Sequence, residues 1–317
     1  MRRPSVPCLA AVLALAALAG CGATSSRALH RTLAALSVRA FATPAAASPA
    51  GPPSCLPSLR PPATLPAPGA MPAGSFAATI ARHGHLVAGV DQNTLLLAYR
   101  NPRDAQFEGF EIDILHEVAR AIFGNPDAIE FRAITTARRA AVVQDGSVDL
   151  VADAFTITCR RARQVDFSAP YFAARQGLLV PSDSVAQSIG ALRGRRVCAT
   201  IGSTSIENVM RHPGVIPYPV AQRTDCLVAL QEGAVDGIAS DDAILRGFAA
   251  QDPYTRLVTE PRSPAPYGIA ISLDHPDFVR FINGVLARIR ADGTWRRIYA
   301  KWFGTPAPPP PTPRYAG

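Results

Sequence analysis

The residues best suited to chemistry are three arginines in four positions, Arg160, Arg161 and Arg163, within TITCRRARQVDFSAPY (156–171). A guanidinium is planar and always charged, and its N–H groups match the two oxygens of a carboxylate or a phosphate. Such a cluster can bind nucleic acid, lie solvated at a helix end, or hold a small carboxylate. The rest of the sequence has to distinguish these three uses.

The basic composition does not indicate a nucleic-acid surface. The chain has 317 residues and a formal net charge of +8, but lysine occurs only once, at Lys301. No basic run is longer than three residues, and aromatic residues do not alternate with arginines as a base-stacking surface requires. We therefore expect no nucleic-acid partner.

The first 21 residues have the pattern of a lipoprotein signal peptide. Arg2 and Arg3 precede an apolar stretch, CLAAVLALAALAG, that is short for a membrane span. Small residues then lead into Cys21, which resembles a bacterial lipobox. An ordinary signal peptide with an incidental cysteine is the alternative. The lipobox interpretation predicts a lipid on Cys21 that holds the protein at the membrane.

Export would place the remaining cysteines in an oxidising compartment. Four of them are left after signal cleavage and lipidation: Cys55, Cys159, Cys198 and Cys226. An even number predicts two disulfides, and four cysteines allow three pairings. No CxxC or CxH spacing indicates zinc, so we expect no metal ion and no cofactor.

Two segments are too rich in proline for regular helices or sheets. Residues 22–75 contain ten prolines between Pro44 and Pro72, which predicts a tether that is extended in its second half. Within it, RALHRTLAALSVRAF (27–41) is either a short amphipathic helix on the membrane or a disordered spacer. The stretch TPAPPPPTPRYAG (305–317) is a polyproline tail with no evident role.

The region between these segments alternates strands and helices. HLVAGV, AIEFRAI and VDLVADAF predict strands, and the helices FEIDILHEVARAIFG and TARRAAVVQDGS lie between them. The same alternation recurs after Pro181, where RVCATI, VIPYPV and VDGIAS predict strands. The pattern predicts an α/β fold with two lobes, each a parallel sheet covered by helices.

Two stretches of similar design place polar residues where a strand ends. In VQDGSVDLVADAF (143–155) and LQEGAVDGIASDD (230–242), a helix ends at glycine and a Val-Asp pair opens the next strand. Ligands of open α/β sheets bind at the carboxyl ends of the strands. We therefore expect the two lobes to direct polar side chains into a shared cleft.

An ordered series of motifs resembles family 3 of the extracytoplasmic solute-binding proteins, the amino-acid receptors of ABC importers. The motifs are GFEIDILHEVA, TITCRRARQVDFSAPY, GRRVCATIGSTS, VDGIASDDAIL, PYGIAI and GTWRRIYAKWFG. The resemblance implies a two-lobed, type II periplasmic-binding-protein fold with a ligand cleft and a hinge of two strands, near 176–181 and 263–268. The implied boundaries are lobe 1 at 76–178, lobe 2 at 179–263, and a return to lobe 1 at 264–304.

In lobe 1 the resemblance assigns ligand contacts residue by residue. Arg161 matches the arginine that binds the α-carboxylate of the ligand, supported by Thr156 and by backbone groups of Ala154. Asp91 matches another contact position, although a turn or N-cap acid explains it equally well. The two arginines beside Arg161 match no contact, and we expect them to be solvated.

In lobe 2 the resemblance assigns contacts to a turn and an acid. IGSTS (201–205) is similar to a strand-to-helix turn whose free N–H groups bind a carboxylate, with Ser203 and Thr204 as the contacts. Asp241 matches the acid that binds the α-ammonium, a charge-assisted bond of roughly 1.5–3 kcal/mol.

The residues that would select the ligand side chain depart from the glutamine-binding pattern. Thr94 and Thr136 stand where relatives carry aromatic residues that sandwich the ligand. Arg139 stands where receptors of acidic amino acids carry an arginine, which favours glutamate or aspartate over glutamine or asparagine. A surface arginine is the alternative for Arg139, and Asp153 would oppose an acidic ligand if it pointed inward.

The resemblance also orders the cysteines into pairs. Cys198 and Cys226 belong to the same lobe, and their disulfide would close a loop worth roughly 3–4 kcal/mol in the chain-entropy model. Cys55 and Cys159 remain, and their disulfide would fix the tether beside Arg161.

The function implied is binding without chemistry, by closure of two lobes around an amino acid. We expect a monomer, lipid-anchored at the extracytoplasmic face of the bacterial cell membrane, that delivers its ligand to the permease of an ABC importer. Alternatively the bound receptor signals to a membrane sensor protein. A third reading is a periplasmic dehydratase on the same fold, with Asp241 or Asp153 as general acid.

Overall fold

The computed structural model describes residues 57–316, apart from the side chains of residues 261 and 262. The lipidation site Cys21, the stretch 27–41 and Cys55 lie outside the described residues. The lipid anchor, the membrane helix and the Cys55–Cys159 pairing therefore stay predictions. Within residues 57–316, no helix combines the length and the apolar character needed to cross a bilayer.

The described chain begins its regular structure with lobe 1. Its elements are α1 Phe76–His83, β1 Leu86–Val90, β2 Asn93–Thr94, β3 Ala98–Arg100, β4 Phe107–Glu108, α2 Phe110–Phe123, β5 Ile129–Ala133, α3 Arg139–Gln144, β6 Leu150–Val151 and β7 Asp166–Phe167. Two 3-10 helices, Thr136–Arg138 and Arg161–Arg163, carry the chain between them.

The chain then crosses to lobe 2 and returns. The elements of this part are β8 Phe172–Pro181, a 3-10 helix Ile189–Leu192, β9 Arg196–Thr200, α4 Thr204–Met210, β10 Ile216–Val220, α5 Arg223–Gln231, β11 Gly237–Asp241, α6 Asp242–Gln251 and β12 Thr255–Tyr267. Lobe 1 is completed by β13 Ala270–Ile271, α7 Pro276–Ala291 and α8 Thr294–Phe303.

Each lobe is built on a five-stranded sheet, which confirms the predicted α/β class and the two-lobed arrangement. The strand order is β5-β1-β6-β13-β7 in lobe 1 and β10-β9-β11-β8-β12 in lobe 2, and β2-β3-β4 form a small third sheet. Both main sheets are mixed rather than purely parallel, because β13 is antiparallel to β6 and β8 is antiparallel to β11. The chain enters lobe 2 along β8 and returns to lobe 1 along β12, which leads into β13. Strands β8 and β13 run antiparallel to the strands beside them.

The two long strands β8 and β12 form the hinge between the lobes. They pair antiparallel from Phe172–Tyr267 at one end to Pro181–Thr255 at the other. At the lobe 1 end, the rings of Phe172 and Tyr267 stack at 5.6 Å, and Phe172 also contacts Phe110. The lobes are thus joined by two strands, as predicted. The lobe 1 end of this pair lies at 172–175 and 264–267, which matches the predicted crossover at 263–268, whereas 176–181 lies within the lobe 2 sheet.

Helix α2 shows how the predicted apolar spacing builds lobe 1. The residues of its predicted apolar face are all buried: Ile112, Leu115, Val118, Ala119 and Ile122. The helix ends at Gly124, whose left-handed φ of 74° costs a glycine little and lets its N–H bond to Arg120 O. This helix also places Glu111 in the interior, beside the loop that follows β6.

The proline-rich segments pack on lobe 1 over their described lengths. Ser58 Oγ donates to Phe167 O at 2.7 Å and accepts from the Asn283 side chain at 2.7 Å. Ser58 also pairs with the tail, because its N–H donates to Arg314 O and its carbonyl accepts from Ala316 N. Proline excludes helices and ladders but not packing, so composition did not indicate these contacts.

The predicted Cys198–Cys226 disulfide is present in lobe 2. It joins the middle of β9 to α5, with 5.5 Å between the two Cα atoms, and both cysteines are buried. The cross-link ties the helix that carries Arg223 to the strand that leads into the IGSTS turn. It therefore fixes two elements that face lobe 1.

Candidate ligand-binding site

Strand ends from both lobes meet at one small cavity. Its lining combines Thr136, Arg139, Ala154, Thr156 and Arg161 of lobe 1 with Thr200, Ser203, Thr204, Ser205, Arg223, Ser240, Asp241 and Ile244 of lobe 2. Seven of the eight predicted contacts lie here, and only Asp91 stands outside this lining. The cavity volume is about 10 Å³, room for about one water molecule.

Arg161 is the first residue of the 3-10 helix Arg161–Arg163, and its buried side chain points into the cleft. Its Nη1 donates to Thr156 O at 2.8 Å, and its Nη2 donates to Gly202 O of the other lobe at 3.0 Å. The guanidinium lies 4.8 Å from the ring centre of Phe155. Burial, assisted by the charge of Arg139, lowers the pKa of Arg161 to about 9, so it remains a cation at neutral pH.

Arg139 is a cleft residue and not a surface arginine, because only 2% of it is exposed. Its Nε donates to Thr136 O at 2.9 Å, and its Nη1 donates to the carbonyls of Asp153 and Ala154 at 3.0 and 3.1 Å. Its Nη2 alone crosses the cleft, to Gly202 O at 3.3 Å. Burial lowers the pKa of Arg139 to about 10.

The two guanidiniums converge on a single carbonyl oxygen, that of Gly202. Gly202 has a φ of 78°, and a Cβ on it would lie 2.9 Å from the Cα of Ala137 in lobe 1. Only glycine therefore allows the IGSTS turn to approach lobe 1 this closely. Because a carbonyl carries only a partial negative charge, the pair of cations stays incompletely neutralised.

Ala154 and Thr156 hold the shape of the loop after β6. Ala154 has a φ of 44°, a left-handed conformation that costs a residue with a Cβ some strain. Its N–H donates to Glu111 Oε1 at 2.7 Å, and its carbonyl accepts from Arg139. The backbone groups of Ala154 that we predicted as ligand contacts are thus already bonded within lobe 1.

Asp241 is buried at the end of β11, where α6 begins. Its Oδ2 accepts from the Tyr267 hydroxyl at 2.9 Å, and its Oδ1 accepts from the Gln176 amide. Burial raises the pKa of Asp241 to about 7. A cation placed beside it would favour the ionised carboxylate.

The IGSTS turn leads into α4 as predicted. Ser203 caps the helix: its Oγ accepts from Ile206 N at 3.1 Å and donates to Thr200 O at 2.6 Å. Thr204 Oγ1 accepts from Gln176 Nε2 at 3.4 Å. Both residues line the cavity, although the hydroxyl of Ser203 is largely engaged by the cap.

Asp91 makes the turn contact that one of its two interpretations predicted, and it also binds Arg223 of the other lobe. Its Oδ1 accepts from Asn93 N, which is a turn contact, and its Oδ2 accepts from Arg223 Nη1 at 2.5 Å. Arg223 Nη1 also donates to Thr94 Oγ1 at 3.1 Å and to Asp153 Oδ1 at 2.5 Å. Asp153 does point inward, and its charge is taken up by an arginine.

Arg223 is the site residue that sequence reasoning missed. It follows β10 and opens α5, so the rule that strand carboxyl ends carry ligands pointed to it. Burial acts to lower its pKa, but the charges of Asp153 and Asp91 outweigh burial and raise the pKa above its usual range. It is therefore a fixed cation between the lobes.

At the rim, Arg160 is exposed, as expected, but it has a partner that the sequence did not indicate. It forms a salt bridge with Glu207 across the cleft, and the two side chains remain 56% and 42% exposed. Sequence position could not indicate this pair, because Glu207 belongs to the other lobe. Arg163 is exposed, as expected, with a long contact of 3.4 Å to Cys159 O.

Comparison with known proteins places this geometry in context. Residues 86–305 match the bacterial extracellular solute-binding proteins, family 3. The ABC transporter glutamine-binding protein GlnH of Bacillus subtilis is 34% identical over 228 residues, which cover 71% of this chain and 84% of that protein. The glutamate-binding protein GluB of Corynebacterium efficiens is 31% identical over 236 residues, which cover 70% and 80%.

A solved structure of an amino-acid-binding protein has the same fold as this chain. An ancestral arginine-binding protein bound to glutamine superposes with a TM-score of 0.65 at 30% identity, covering 70% of this chain and 98% of that one.

In the part of the chain that the structure describes, no group of three or more His, Cys, Asp or Glu residues is arranged to hold a metal ion.

Proposed function

Because the chain belongs to family 3 of the bacterial extracellular solute-binding proteins, we propose that it binds a polar amino acid in this cleft and delivers it to an ABC importer. The relatives that it matches are solute-binding proteins rather than enzymes. Family membership places it among extracytoplasmic receptors. The lipid on Cys21 and the monomeric state belong to this proposal.

The observation that carries the proposal is the placement of two converging guanidiniums and one buried carboxylate in the same cavity. Arg161 and Arg139 direct Nη2 groups at one acceptor, and Asp241 lies on the opposite lobe. An α-amino acid is a carboxylate and an ammonium joined by one carbon. Its carboxylate meets Arg161, and its ammonium meets Asp241.

Binding requires the lobes to part, since about 10 Å³ cannot hold an amino acid. Parting removes Gly202 O from both guanidiniums, because that carbonyl belongs to lobe 2. The ligand α-carboxylate then replaces it beside Arg161, with a full negative charge, and Nη2 of Arg139 is left free. Closure is stabilised by whatever the ligand adds to the contacts between the lobes.

The ligand side chain would meet hydrogen-bond donors, which favours a side chain that ends in oxygen. Arg139 uses Nε and Nη1 for lobe 1 carbonyls, so Nη2 remains for the ligand once Gly202 withdraws. The nearest carboxylate oxygen, Asp153 Oδ2, is 4.0 Å from Arg139 Nε, beyond hydrogen-bond distance. An incompletely neutralised cation favours glutamate or aspartate over glutamine or asparagine.

The test is a thermal-shift titration of the chain without its first 21 residues against the twenty amino acids. We expect glutamate or aspartate to raise Tm most, and Arg139→Ala to weaken that shift. Arg138→Ala is the matched control, because Arg138 is the exposed arginine beside Arg139. A larger shift with glutamine that survives Arg139→Ala removes the acidic preference. The absence of any shift would refute an amino-acid receptor.

A further inference from the structure

The guanidinium of Arg223 is bound as a ligand would be. It belongs to α5 of lobe 2, but its four hydrogen bonds all end on lobe 1. The acceptors are Asp91 Oδ2, Thr94 Oγ1, Asp153 Oδ1 and the carbonyl of Asp153. Only 4% of Arg223 is exposed, so one lobe presents a cation and the other presents a finished pocket for it.

The lobe 1 side of this contact is a site for a cation. Asp91 and Asp153 are 3% and 0% exposed, and buried carboxylates of like charge require a cation to remain ionised. Asp153 Oδ2 is buried without a hydrogen-bond partner in the described structure, and its nearest cation besides Arg223 is Arg139, whose Nε is 4.0 Å away. The site therefore has one more acceptor than Arg223 uses, and a guanidinium could bind both Asp153 oxygens.

The cation site adjoins the place proposed for the amino acid. Arg223 lines the same cavity as Arg161 and Asp241. Asp153 and Ala154 also share Arg139 Nη1 as a donor, which puts the two sites on neighbouring residues of one loop. Arg223 lines the cavity and also bonds Asp91 and Asp153, so removing its side chain would open the cavity toward these two carboxylates.

We propose that Arg223 is a built-in occupant of a cation site and that it excludes amino acids with cationic side chains. This inference rests on the proposed function only in requiring that the cleft holds an amino acid. An arginine or lysine ligand would have to displace Arg223 or lie beside its charge. Acidic side chains face no such competition, because an ionised carboxylate has no donor for the two aspartates. Amide side chains offer a neutral N–H donor but no charge, so they gain much less from the site than a cation does.

The test is Arg223→Ala, titrated with arginine, lysine, glutamate and glutamine by calorimetry beside the unaltered chain. We expect Arg223→Ala to bind arginine at least about tenfold more tightly than the unaltered chain does. Arg223→Lys keeps the cation and is expected to show no gain. Adding Asp153→Asn to Arg223→Ala is expected to remove the gain, since the unpaired carboxylate is then lost.

The outcomes separate the two proposals. If Arg223→Ala stays folded by circular dichroism and gains no arginine affinity, the built-in occupant is refuted, even if glutamate binding falls. Equal arginine affinity in the unaltered chain and in Arg223→Ala refutes it as well. If the unaltered chain binds neither acidic nor amide amino acids while Arg223→Ala gains arginine, the proposed function fails and this inference stands.

Discussion

Two groups of arginines in the cleft have opposite electrostatic surroundings. Arg139 and Arg161 are bonded only to carbonyl oxygens, and burial lowers their pKa values to about 10 and about 9. Arg223 is bonded to two carboxylates, whose charges raise its pKa above the usual range. All three are similarly buried. The partners, and not the burial, distinguish a cation that awaits an anion from one that already has it.

The difference has a physical basis in the cost of burying charge. A guanidinium taken out of water loses its hydration, and carbonyl dipoles replace only part of it. A carboxylate replaces much more, because full charges attract strongly where the dielectric is low. Arg139 and Arg161 therefore gain most from the carboxylate of a ligand. Arg223 already has two carboxylate partners and gains nothing from another.

The largest effect on ligand binding is expected from changing Arg161, one of the two arginines without a carboxylate partner. Arg161→Ala removes the cation that meets the α-carboxylate, and truncating one partner of a buried, hydrogen-bonded charge pair costs about 2–5 kcal/mol, or roughly 30- to 5,000-fold in Kd. Arg161→Lys should recover part of the loss, since it restores charge without the planar fork. Calorimetric Kd values check this, and a loss under about threefold in Arg161→Ala would remove its assigned role.

A smaller effect is expected from pH, through Asp241. Burial raises its pKa to about 7, and the ligand ammonium needs its ionised form. Affinity should therefore fall as pH drops below 7, by up to about tenfold per unit. The titratable and charged groups around Asp241 are Tyr267, Arg161, Arg223 and Asp242, and its Oδ1 also accepts from the Gln176 amide.

Two variants isolate this pH dependence. Asp241→Asn should bind weakly with a flat profile between about pH 5 and 8, because the carboxylate that pairs with the ligand ammonium is gone. Glu111 also has a pKa raised to about 7 by burial but lies in lobe 1 bonded to Ala154 N, so Glu111→Gln should keep the slope. If the slope is retained in Asp241→Asn and lost in Glu111→Gln, the titrating group is Glu111 and the assignment to Asp241 is wrong.

The smallest effect is expected at the rim, where charge is exposed to water. Glu207→Gln removes the salt bridge with Arg160, and exposed pairs contribute about 0.2–1 kcal/mol, or less than about fivefold in Kd. The difference from the unaltered chain should vanish near 1 M salt, because screening weakens exposed pairs. An effect as large as that of Arg161→Ala, or one insensitive to salt, would contradict this comparison of buried and exposed charges.

Much of the cleft was predictable because its local signals are strong. The alternation of strands and helices placed Asp241 at a strand end, and strand ends of open sheets meet at one edge. The family resemblance, and not the alternation, indicated Arg161 and Thr204. Arg223 also follows a strand, but the sequence analysis assigned it no role. The contacts of Arg160 and Ser58 had no local signal, because their partners lie far away along the chain.

The sequence by itself determined the two-lobed α/β fold, the two hinge strands, the Cys198–Cys226 pairing and the supply of arginines and aspartates at strand ends. These follow from apolar periodicity, residue type and resemblance. Only the tertiary structure decided which cation meets which anion. Arg223 and Asp91 are 132 residues apart, and a charge is neutralised by distance in space rather than along the chain. Whether an arginine remains available for a ligand is therefore settled only when the two lobes face each other.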